Sequence, residues 1–517
     1  MVPQTTEVPK IAGAFVERFK VSGSSIFSED KLNQVASSAI QPETPGPINR
    51  VLSPAELVQA SEAITKLYTD GKYINSGAYV PQEVLQGATP EIKVVEGSVE
   101  KFNINIQPAT GFGLNLPLRK SYIESRLAQA TTPPLNLDRL LEATKLLEAD
   151  PLIGRISVKL EPGNQIGGSI LNAEVQQAKG FSSEVNLSNG RSQSVGSFQQ
   201  GVTLRQANLL GLGDQLTVSY DRSKGSHSGS FGYTVPLNAK DGSISFRYSA
   251  NGNRIVEERF SDFDITSSSN LYELKLRQPL VRKPNSEFAL SLSGTHYRSE
   301  NQFLGDPLPS RGSDNAGLTR ITALRFGQEF LHRDAKQVFA LQSQVSFGVN
   351  ALGATINEKG PDGRFLSWRG QGQYARLLGP DSLLSLRGQV QFADRGLASV
   401  EQMSLGGADT VRGYRSNSLL TDNGWLTSAE LRLPIARFPK SKTVLQLAPF
   451  FDMGGGWNRD GEAVKPGVLM STGLGLVLRI GNQFSGRIDY GIPLTSTDRN
   501  GQSLRQNGIH FSLFYSL

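Results

Sequence analysis

The strongest constraint on the fold is a period of two that runs through the C-terminal part of the chain. From Gly180 to Leu517, apolar and polar side chains alternate in about sixteen stretches separated by turn residues. In the stretch 473–480, leucine or isoleucine fills every second position and Arg479 lies on the other face. The same alternation runs through 384–392, 425–435 and 509–517. This pattern predicts strands with one apolar face and one polar face.

Two features of these stretches favour a membrane-spanning barrel over a soluble all-β fold. Charged residues occur mid-strand on the polar face, and a dry core could not hold them unpaired, so this face must be wet. These charges are Glu273, Lys275, Arg277, Arg387, Arg432, Arg487 and Asp489. The other face is apolar over about 9–11 residues, the length of a tilted strand that crosses a bilayer. A soluble protein with many strands is the alternative.

The connections between the stretches also alternate in length. Gly379-Pro380 and Gly481-Asn482 are tight turns, whereas 299–317 and 393–423 are long. Transmembrane barrels have short periplasmic turns and long external loops. We therefore predict a sixteen-stranded antiparallel transmembrane β-barrel over residues 178–517.

Composition limits the remaining possibilities. No run of about 18 apolar residues occurs, so no transmembrane helix is expected, and residues 1–10 lack the apolar centre of a signal peptide. The chain has no cysteine and its four histidines are scattered, so we expect no disulfide, no metal site and no cofactor. The net charge of +6 suits lipopolysaccharide as an anionic neighbour and does not indicate nucleic acid.

The first part of the chain predicts two small α+β modules. In residues 14–97, Ser28 can cap a short helix, and Ser53-Pro54-Ala55-Glu56 is a capping box with proline at the first helical position. Gly71 marks the C-terminal end of the second helix. Strands are expected at 79–81 and 89–95.

The start of the chain is thus divided into an N-terminal segment, 1–13, and a first module, 14–97. Residues 98–177 form a second module with the same order of elements. A strand is expected at 102–106, Ser121-x-x-Glu124 is interpreted as a second capping box, and Pro151 ends the following helix. The apolar face of that helix consists of Leu137, Leu140, Leu141, Thr144 and Leu147. Neither module contains a catalytic cluster, so each is predicted to be an interaction domain rather than a small enzyme.

Short motifs in a fixed order connect these parts to a known family. The most specific, in the loop between the eleventh and twelfth predicted strands, is Leu405-Gly406-Gly407-x-x-Thr410-Val411-Arg412-Gly413-Tyr414. A later predicted strand contains Phe450-x-Asp452-x-Gly454. Further motifs are Val21-x-Gly23-x-x-x-Phe27-Ser28, Val95-Glu96-Gly97, Leu160-x-Pro162-Gly163 and Asn208-Leu209-Leu210-Gly211. Over nearly its whole length the chain resembles the two-partner secretion transporters, the TpsB family typified by FhaC and ShlB.

The resemblance implies two POTRA domains, at 14–97 and 98–177, in front of the barrel. It also implies that the sixth external loop, 394–423, folds back into the lumen. There Arg412, flanked by Val411, Gly413 and Tyr414, would pair with Asp452 of the wall motif that includes Phe450 and Gly454. An arginine fork on a carboxylate is bidentate and orientation-specific, so this pair is a physically reasonable anchor. Without the flanking motifs, nothing would distinguish Arg412 from the other basic residues of the chain, which has 53 in all.

The chain departs from the family pattern at both ends. About thirteen residues precede Phe15, too few for the N-terminal plug helix and linker of the family, so the plug is expected to be removed or missing. The last residue is Leu517, where such barrels end in an aromatic residue, and Tyr515 is the candidate substitute.

The function implied by the resemblance is export of a specific large exoprotein, an adhesin or hemolysin partner of TpsA type, across the outer membrane. The POTRA domains would recognise this substrate from the periplasm, and we expect a monomer without enzymatic activity. Two alternatives stay open at this point. One is an insertase or import pore of the same superfamily, although such proteins carry three or more POTRA domains. The other is a passive porin, although porins lack the two modules and the Val-Arg-Gly-Tyr loop.

Overall fold

The computed structural model describes residues 14–43, 47–85, 91–114, 116–460, 463–496 and 508–517. The described chain divides into two compact units, one formed by 14–109 with 117–178 and one formed by 110–116 with 179–517. The predicted segment 1–13 and the start of the strand predicted at 89–95 lie outside the described residues. The predicted boundaries at 97/98 and 177/178 stay predictions.

The first unit begins with a module of short strands and three helices. Its elements are β1 (Ala14–Val16), β2 (Lys20–Ser22), α1 (Glu29–Ile40), β3 (Arg50–Leu52), α2 (Pro54–Asp70), β4 (Gly77–Tyr79), α3 (Gln82–Leu85) and β5 (Glu91–Val95). Strand β5 lies between its parallel neighbour β2 and its antiparallel neighbour β4, and β1 pairs with β3. Phe19, Leu57, Ile64 and Tyr68 are fully buried between the helices and the strands.

Both predicted helix starts in this module are confirmed. The Ser28 hydroxyl accepts a hydrogen bond from a backbone N–H in the first turn of α1. At the start of α2, Ser53 Oγ accepts from the Glu56 N–H and the Ser53 N–H donates to Glu56 Oε2 at 2.8 Å. The hydrogen bond from Arg50, followed by those from Ser53, lowers the pKa of Glu56 to about 2. Gly71 takes the C-cap position of α2, as predicted.

The second part of this unit is a three-stranded sheet with two helices. Its elements are β6 (Ser98–Gln107), α4 (Lys120–Ala130), α5 (Leu137–Glu148), β7 (Ile153–Pro162) and β8 (Gly168–Gln177). The central strand β8 is parallel to β6 and antiparallel to β7.

Two sequence predictions for these helices are wrong. Ser121 does not cap α4, because the helix begins at Lys120 and the residue with extended backbone at its N-cap is Arg119, which makes no side-chain capping bond. Ser121 therefore lies inside the first turn. On α5, Leu140 and Leu147 are buried but Leu141 is exposed, because consecutive residues point about 100° apart around a helix.

The second unit is a closed antiparallel barrel. Among the described residues, sixteen strands cross it, and the last pairs with the first. These strands are β9 (Phe181–Ser188), β10 (Gln199–Ala207), β11 (Gln215–Arg222), β12 (Ser226–Pro236), β13 (Ser243–Arg254), β14 (Thr266–Lys283), β15 (Ser286–Phe303), β17 (Leu318–Arg333), β18 (Gln337–Val349), β19 (Phe365–Gly379), β20 (Ser382–Ala393), β23 (Asn423–Phe438), β24 (Thr443–Trp457), β25 (Val468–Ile480), β26 (Phe484–Pro493) and β27 (Ile509–Ser516). Three short strands lie in loops: β16 (Asp306–Pro307), β21 (Met403–Leu405) and β22 (Leu419–Thr421). The predicted fold class is confirmed.

The two faces of the barrel wall differ as the alternation predicts. Side chains on the outer face, such as Leu386, Leu433 and Leu476, are apolar and exposed. The charges predicted for the wet face lie opposite the apolar face, and several of them pair across strands: Lys275 and Arg277 both donate to the Glu329 carboxylate, at 3.0 and 2.7 Å. A charged interior is therefore tolerated because its members neutralise one another next to water.

From β13 onward the connections follow the predicted short and long alternation, whereas earlier in the barrel 208–214 is longer than 223–225. Gly379 and Gly481 lie at tight turns. The long loop predicted at 299–317 is shorter, because β15 continues to Phe303 and only 304–317 connects it to β17. Strand pairing thus extends beyond the apolar stretch that the sequence reveals. Within the described ranges, none of the helices combines the length and apolarity needed to cross a bilayer.

Candidate functional site

The connection between β20 and β23, residues 394–422, bends back inside the barrel. It contains the two-stranded ribbon of β21 and β22, and the motif from Val411 to Tyr414 lies between these two strands. Val411, Arg412 and Tyr414 are buried, and their contacts are with inward-facing parts of the wall. The predicted range 394–423 is one residue too long, since Asn423 begins β23.

Arg412 and Asp452, the residues predicted as a loop–wall pair, are in direct contact. The guanidinium donates two hydrogen bonds to the carboxylate of Asp452, Nε to Oδ2 at 2.7 Å and Nη2 to Oδ1 at 2.8 Å. The backbone N–H of Arg412 adds a third bond to Oδ2 at 3.1 Å, and Ser428 Oγ donates to Oδ1 at 2.6 Å. Asp452 is completely buried, so four donors compensate its lost hydration.

Further charges extend this pair into a network. Arg412 Nη1 donates to Glu430 Oε2 at 2.7 Å and lies 3.9 Å from Asp489 Oδ1. Arg487 donates to both of these carboxylates, at 2.6 and 2.7 Å, and Arg432 Nε donates to Glu430 Oε1 at 2.7 Å. Three guanidinium groups thus face three carboxylates, and their formal charges cancel.

These partners of Arg412 were not predicted from the sequence. Arg432, Arg487 and Asp489 were expected on the wet face, but without a contact to the loop. The sequence did contain one signal for them: side chains alternate between the two faces of a strand, and this alternation places Glu430 and Asp489 on the same inward face as Asp452. Which inward charges meet is decided by strand register, which the alternation leaves open.

Phe450 of the wall motif completes the binding surface for the arginine. The guanidinium carbon of Arg412 lies 3.4 Å from the centroid of the Phe450 ring, a cation–π contact. The ring occupies space left by Gly473 on the next strand, where a Cβ would come within 2.4 Å of it. Gly454 leaves room for the loop itself: a Cβ there would be 3.3 Å from Val411 Cγ2.

The other motif residues hold the loop against the wall by apolar contacts and backbone hydrogen bonds. Val411 and Tyr414 belong to a buried apolar cluster with loop and wall residues. The other members of this cluster are Met403, Leu405, Leu419, Leu426 and Leu469. The Tyr414 hydroxyl donates to the carbonyl oxygen of Met470 at 2.7 Å and accepts from the N–H of Thr495 at 3.0 Å.

Gly413 makes a backbone-to-backbone approach that no other residue type would permit. Its φ of +91° lies in the left-handed region, and a Cβ at this position would be 2.8 Å from the carbonyl oxygen of Gly491 on β26. The Gly413 N–H donates to His510 Nε2 at 3.2 Å, and His510 is buried on the lumen face. Gly491 and His510 are thus further contact residues of the loop tip.

The arrangement can hold a loop in the lumen and can also release it. Removing one member of a buried ion pair leaves the other uncompensated, at a cost of about 3–5 kcal/mol. All members are polar side chains next to the wet interior, so water can replace the loop when the loop leaves. The described residues contain no group of side chains suited to a metal ion. The site therefore supports attachment and release of the loop.

Stacked aromatic rings, Arg479 and a run of three glycines are further features of the wall. Trp368 and Phe392 stack on the outer face at a centroid distance of 6.0 Å, and Trp457 adjoins them at 6.2 Å. Arg479 lies near Asp381 of a tight turn, at 3.6 Å. The run Gly454–Gly456, which resembles a phosphate loop only in composition, lies within β24 and is not followed by a helix.

Comparison with protein families identifies the type of barrel. The family of haemolysin secretion/activation proteins ShlB/FhaC/HecB matches residues 167–478, more than half of the chain. The chain belongs to this family. The ShlB-type POTRA domain matches residues 15–97.

Named relatives and solved structures are consistent with this assignment. The outer membrane transporter CdiB of Escherichia coli is 24% identical over 463 residues, which cover 87% of this chain and 75% of CdiB. The heme/hemopexin transporter protein HuxB of Haemophilus influenzae is 22% identical over 471 residues, covering 88% and 80%. The structure of CdiB from Escherichia coli superposes with a TM-score of 0.71 at 20% identity, covering 100% of this chain and 93% of that one.

The resemblance stated from the motifs is therefore confirmed. The chain is an outer-membrane transporter of the two-partner secretion family, and the POTRA domains of this family lie in the periplasm. Members of this family transport secreted proteins.

Proposed function

We propose that this transporter secretes one cognate exoprotein, an extended adhesin or hemolysin of TpsA type, through the lumen of its barrel. The observation that carries the proposal is the position of loop 394–422 inside the barrel, attached by Arg412 to Asp452 and Glu430. A loop in the lumen occupies the path that a polypeptide would take. Its polar attachment can be exchanged for water, so the path can be opened without unfolding the wall.

The chemistry of the substrate is inferred from the relatives and from the lumen. Curated relatives include a hemolysin transporter of Serratia marcescens and the heme/hemopexin transporter HuxB. An interior lined with paired charges, such as Arg277 with Glu329 and Glu287, offers an unfolded polar chain hydrogen-bonding partners along its way. Folding of the exoprotein outside the cell supplies the direction of transport.

The periplasmic unit recognises the substrate before transport. A segment of the exoprotein adds as a strand to a free edge of the three-stranded sheet, because the edge backbone groups of β6 are unpaired on one side. Beside β6 lies a groove of about 470 Å³, lined by Phe102, Ile104, Lys120 and Glu124 among others. Its mixture of apolar and charged groups suits alternate side chains of an added strand.

The transporter works as a monomer in contact with lipid and lipopolysaccharide, without nucleic acid. The aromatic band of Trp368, Phe392 and Trp457 lies at the outer-face ends of neighbouring strands, where such rings meet lipid headgroups.

The test of the proposed function is secretion by variants of the loop–wall pair. Arg412→Ala and Asp452→Ala are co-expressed with the candidate exoprotein, and the amount outside the cell is measured together with the amount of folded barrel. We expect secretion to fall by about tenfold or more, because each change leaves the remaining charge of the pair uncompensated and the loop can no longer return to its docked position between transport events. Arg387→Ala is the matched control, since Arg387 is an exposed arginine of the wall. Normal secretion at normal barrel levels would contradict the loop mechanism.

A further inference from the structure

Loop 394–422 has a second ionic contact with the wall, on a strand distant from those of the first. Glu401 accepts two hydrogen bonds from Arg325 of β17, from Nη2 to Oε1 at 2.6 Å and from Nη1 to Oε2 at 3.2 Å. Arg325 is further oriented by Ser346 of β18, whose Oγ accepts from Nη1 at 2.9 Å. The side chains of Arg325 and Glu401 are only 17% and 10% exposed. This is a shielded bidentate pair rather than a surface contact.

The backbone next to Glu401 is held as well. Gln391 of β20 donates to the carbonyl oxygen of Glu401 at 3.0 Å and to that of Asp422, the last residue of the loop, at 3.1 Å. Arg369 of β19 donates to Gln391 Oε1 from Nε at 2.9 Å and thereby orients the amide. Four consecutive wall strands, β17 to β20, thus act directly or through one another on the first half of the loop.

An apolar cluster accompanies this ion pair, as one accompanies Arg412. Leu397 and Ala398 of the loop are buried against Ile321 and Ala323 of β17 and Phe365 of β19. The loop therefore has two docking sites of the same construction. The first docking site consists of Arg412 with its carboxylates and the Val411–Tyr414 cluster, and the second consists of Glu401 with Arg325 and the Leu397–Ala398 cluster.

The two docking sites have opposite polarity and lie on different strands. At the first, a loop cation meets wall anions of β23, β24 and β26; at the second, a loop anion meets a wall cation of β17. Counted from β9, β17 is the eighth barrel strand and β24 the thirteenth. Opening the first site alone leaves the loop attached at the second, still across the lumen.

We propose that Glu401 and Arg325 form a second release point, which must open together with the Arg412 site before a polypeptide can pass. Its role in secretion depends on the proposed function, whereas the attachment itself does not. The need for both releases follows from the loop's connectivity: each site restrains its own half of the loop, and both halves must leave the lumen.

The test measures loop position and pore opening separately from secretion. The chain has no cysteine, so Ser399→Cys on the loop and Lys336→Cys in a wall turn give a clean pair of spin labels. The distribution of distances between the two spin labels is recorded by electron–electron double resonance, and single-channel conductance is recorded in planar bilayers. Both are measured for the labelled parent chain, Glu401→Gln, Arg412→Ala and the two changes combined. We expect Glu401→Gln to increase the displaced-loop population about tenfold or more, and the combined variant to open the pore more often than either change alone.

Two controls decide the outcome. Glu329→Gln removes a carboxylate of β17 that binds only wall cations, Lys275 and Arg277, so it must leave the distance distribution unchanged. The charge exchange Glu401→Lys with Arg325→Glu is expected to restore the parent distribution, which a folding defect would not do. The proposal is overturned if Glu401→Gln matches the parent in distance and conductance while Arg412→Ala does not. If Arg412→Ala secretes as much exoprotein as the parent chain, the proposed function is rejected, but the attachment of Glu401 to Arg325 is not affected by that result.

Discussion

At the scale of single residues, the loop tip depends on space as much as on charge. Arg412 reaches its carboxylates because Gly413 and Gly491 allow two backbones to touch, and because Gly473 leaves room for the Phe450 ring. Gly413 is found from the sequence as part of the loop motif, but Gly473 and Gly491 carry no charge and no hydrogen-bonding side chain, so a search for chemistry in the sequence passes over them. Substituting them is therefore a direct way to disturb docking while keeping every charge.

We expect Gly413→Ala to displace the loop tip. The new Cβ would lie 2.8 Å from the Gly491 carbonyl oxygen, and its φ of +91° adds a backbone strain of about 1–3 kcal/mol. Secretion should fall towards the level of Arg412→Ala, at unchanged barrel amount. Gly305→Ala is the matched control, because Gly305 also has a positive φ, +87°, but a Cβ added there would meet no atom within 4 Å. Equal effects of both changes would mean that strain alone, and not contact with Gly491, is responsible.

At the scale of elements, capping residues determine where helices begin. The sequence predicted the start of a helix correctly where the capping box was accompanied by proline at the first helical position. Ser53 and Glu56 cap each other around Pro54, and the prediction for α2 is confirmed. The same spacing at Ser121 failed, because the N-cap lies two residues earlier, at Arg119, and the helix has already begun at Lys120. Alternation located the barrel strands but not their ends, since β23 and β25 extend beyond the predicted stretches 425–435 and 473–480.

The site could be predicted to the same partial extent. A motif on the loop and a motif on the wall were enough to connect Arg412 with Asp452. Glu430, Arg487 and Glu401 could not be connected to the loop–wall contacts, because nothing near them in the sequence marks which loop residue meets which inward side chain. Strand register and the path of the loop decide such contacts, and neither has a local sequence signal.

The cap of α2 gives a test that depends on pH. The pKa of Glu56 is lowered from 4.5 to about 2 by Arg50 and Ser53, so the carboxylate stabilises the folded state fully above pH 4.5 and loses this effect as the pH falls towards 2. Glu56→Gln should weaken α2 by about 1 kcal/mol at pH 7, with a difference that disappears near pH 2. Hydrogen exchange of an α2 peptide, corrected for intrinsic rates, measures this. A difference that grows on acidification would contradict the assignment.

At the scale of the whole molecule, closure of the barrel depends on the contact between its last and first strands. Within the described residues, the register of β27 with β9 runs from Ser512–Ser188 to Ser516–Glu184, with backbone hydrogen bonds between Leu517 and Ser183 and from Asn189 to Phe511 at its two ends, whereas β13 and β14 pair along their entire facing lengths. The Asn189 side chain lengthens this seam beyond the strand: Nδ2 donates to the Ile509 carbonyl oxygen at 2.9 Å, and Oδ1 accepts from the Phe511 N–H at 2.8 Å.

Because this seam is short, its side-chain bonds should matter more than similar bonds elsewhere in the wall. Asn189→Ala removes both bonds and is expected to destabilise closure by about 2 kcal/mol, at about 1 kcal/mol for each bond. The temperature at which the folded barrel loses its compact migration in a semi-native gel should fall. Asn270→Ala is the control, because it removes the bond from Tyr248 between two strands that are already paired along their length. If both variants unfold at the same temperature, closure is not limited by the seam, and the wall behaves as one cooperative sheet.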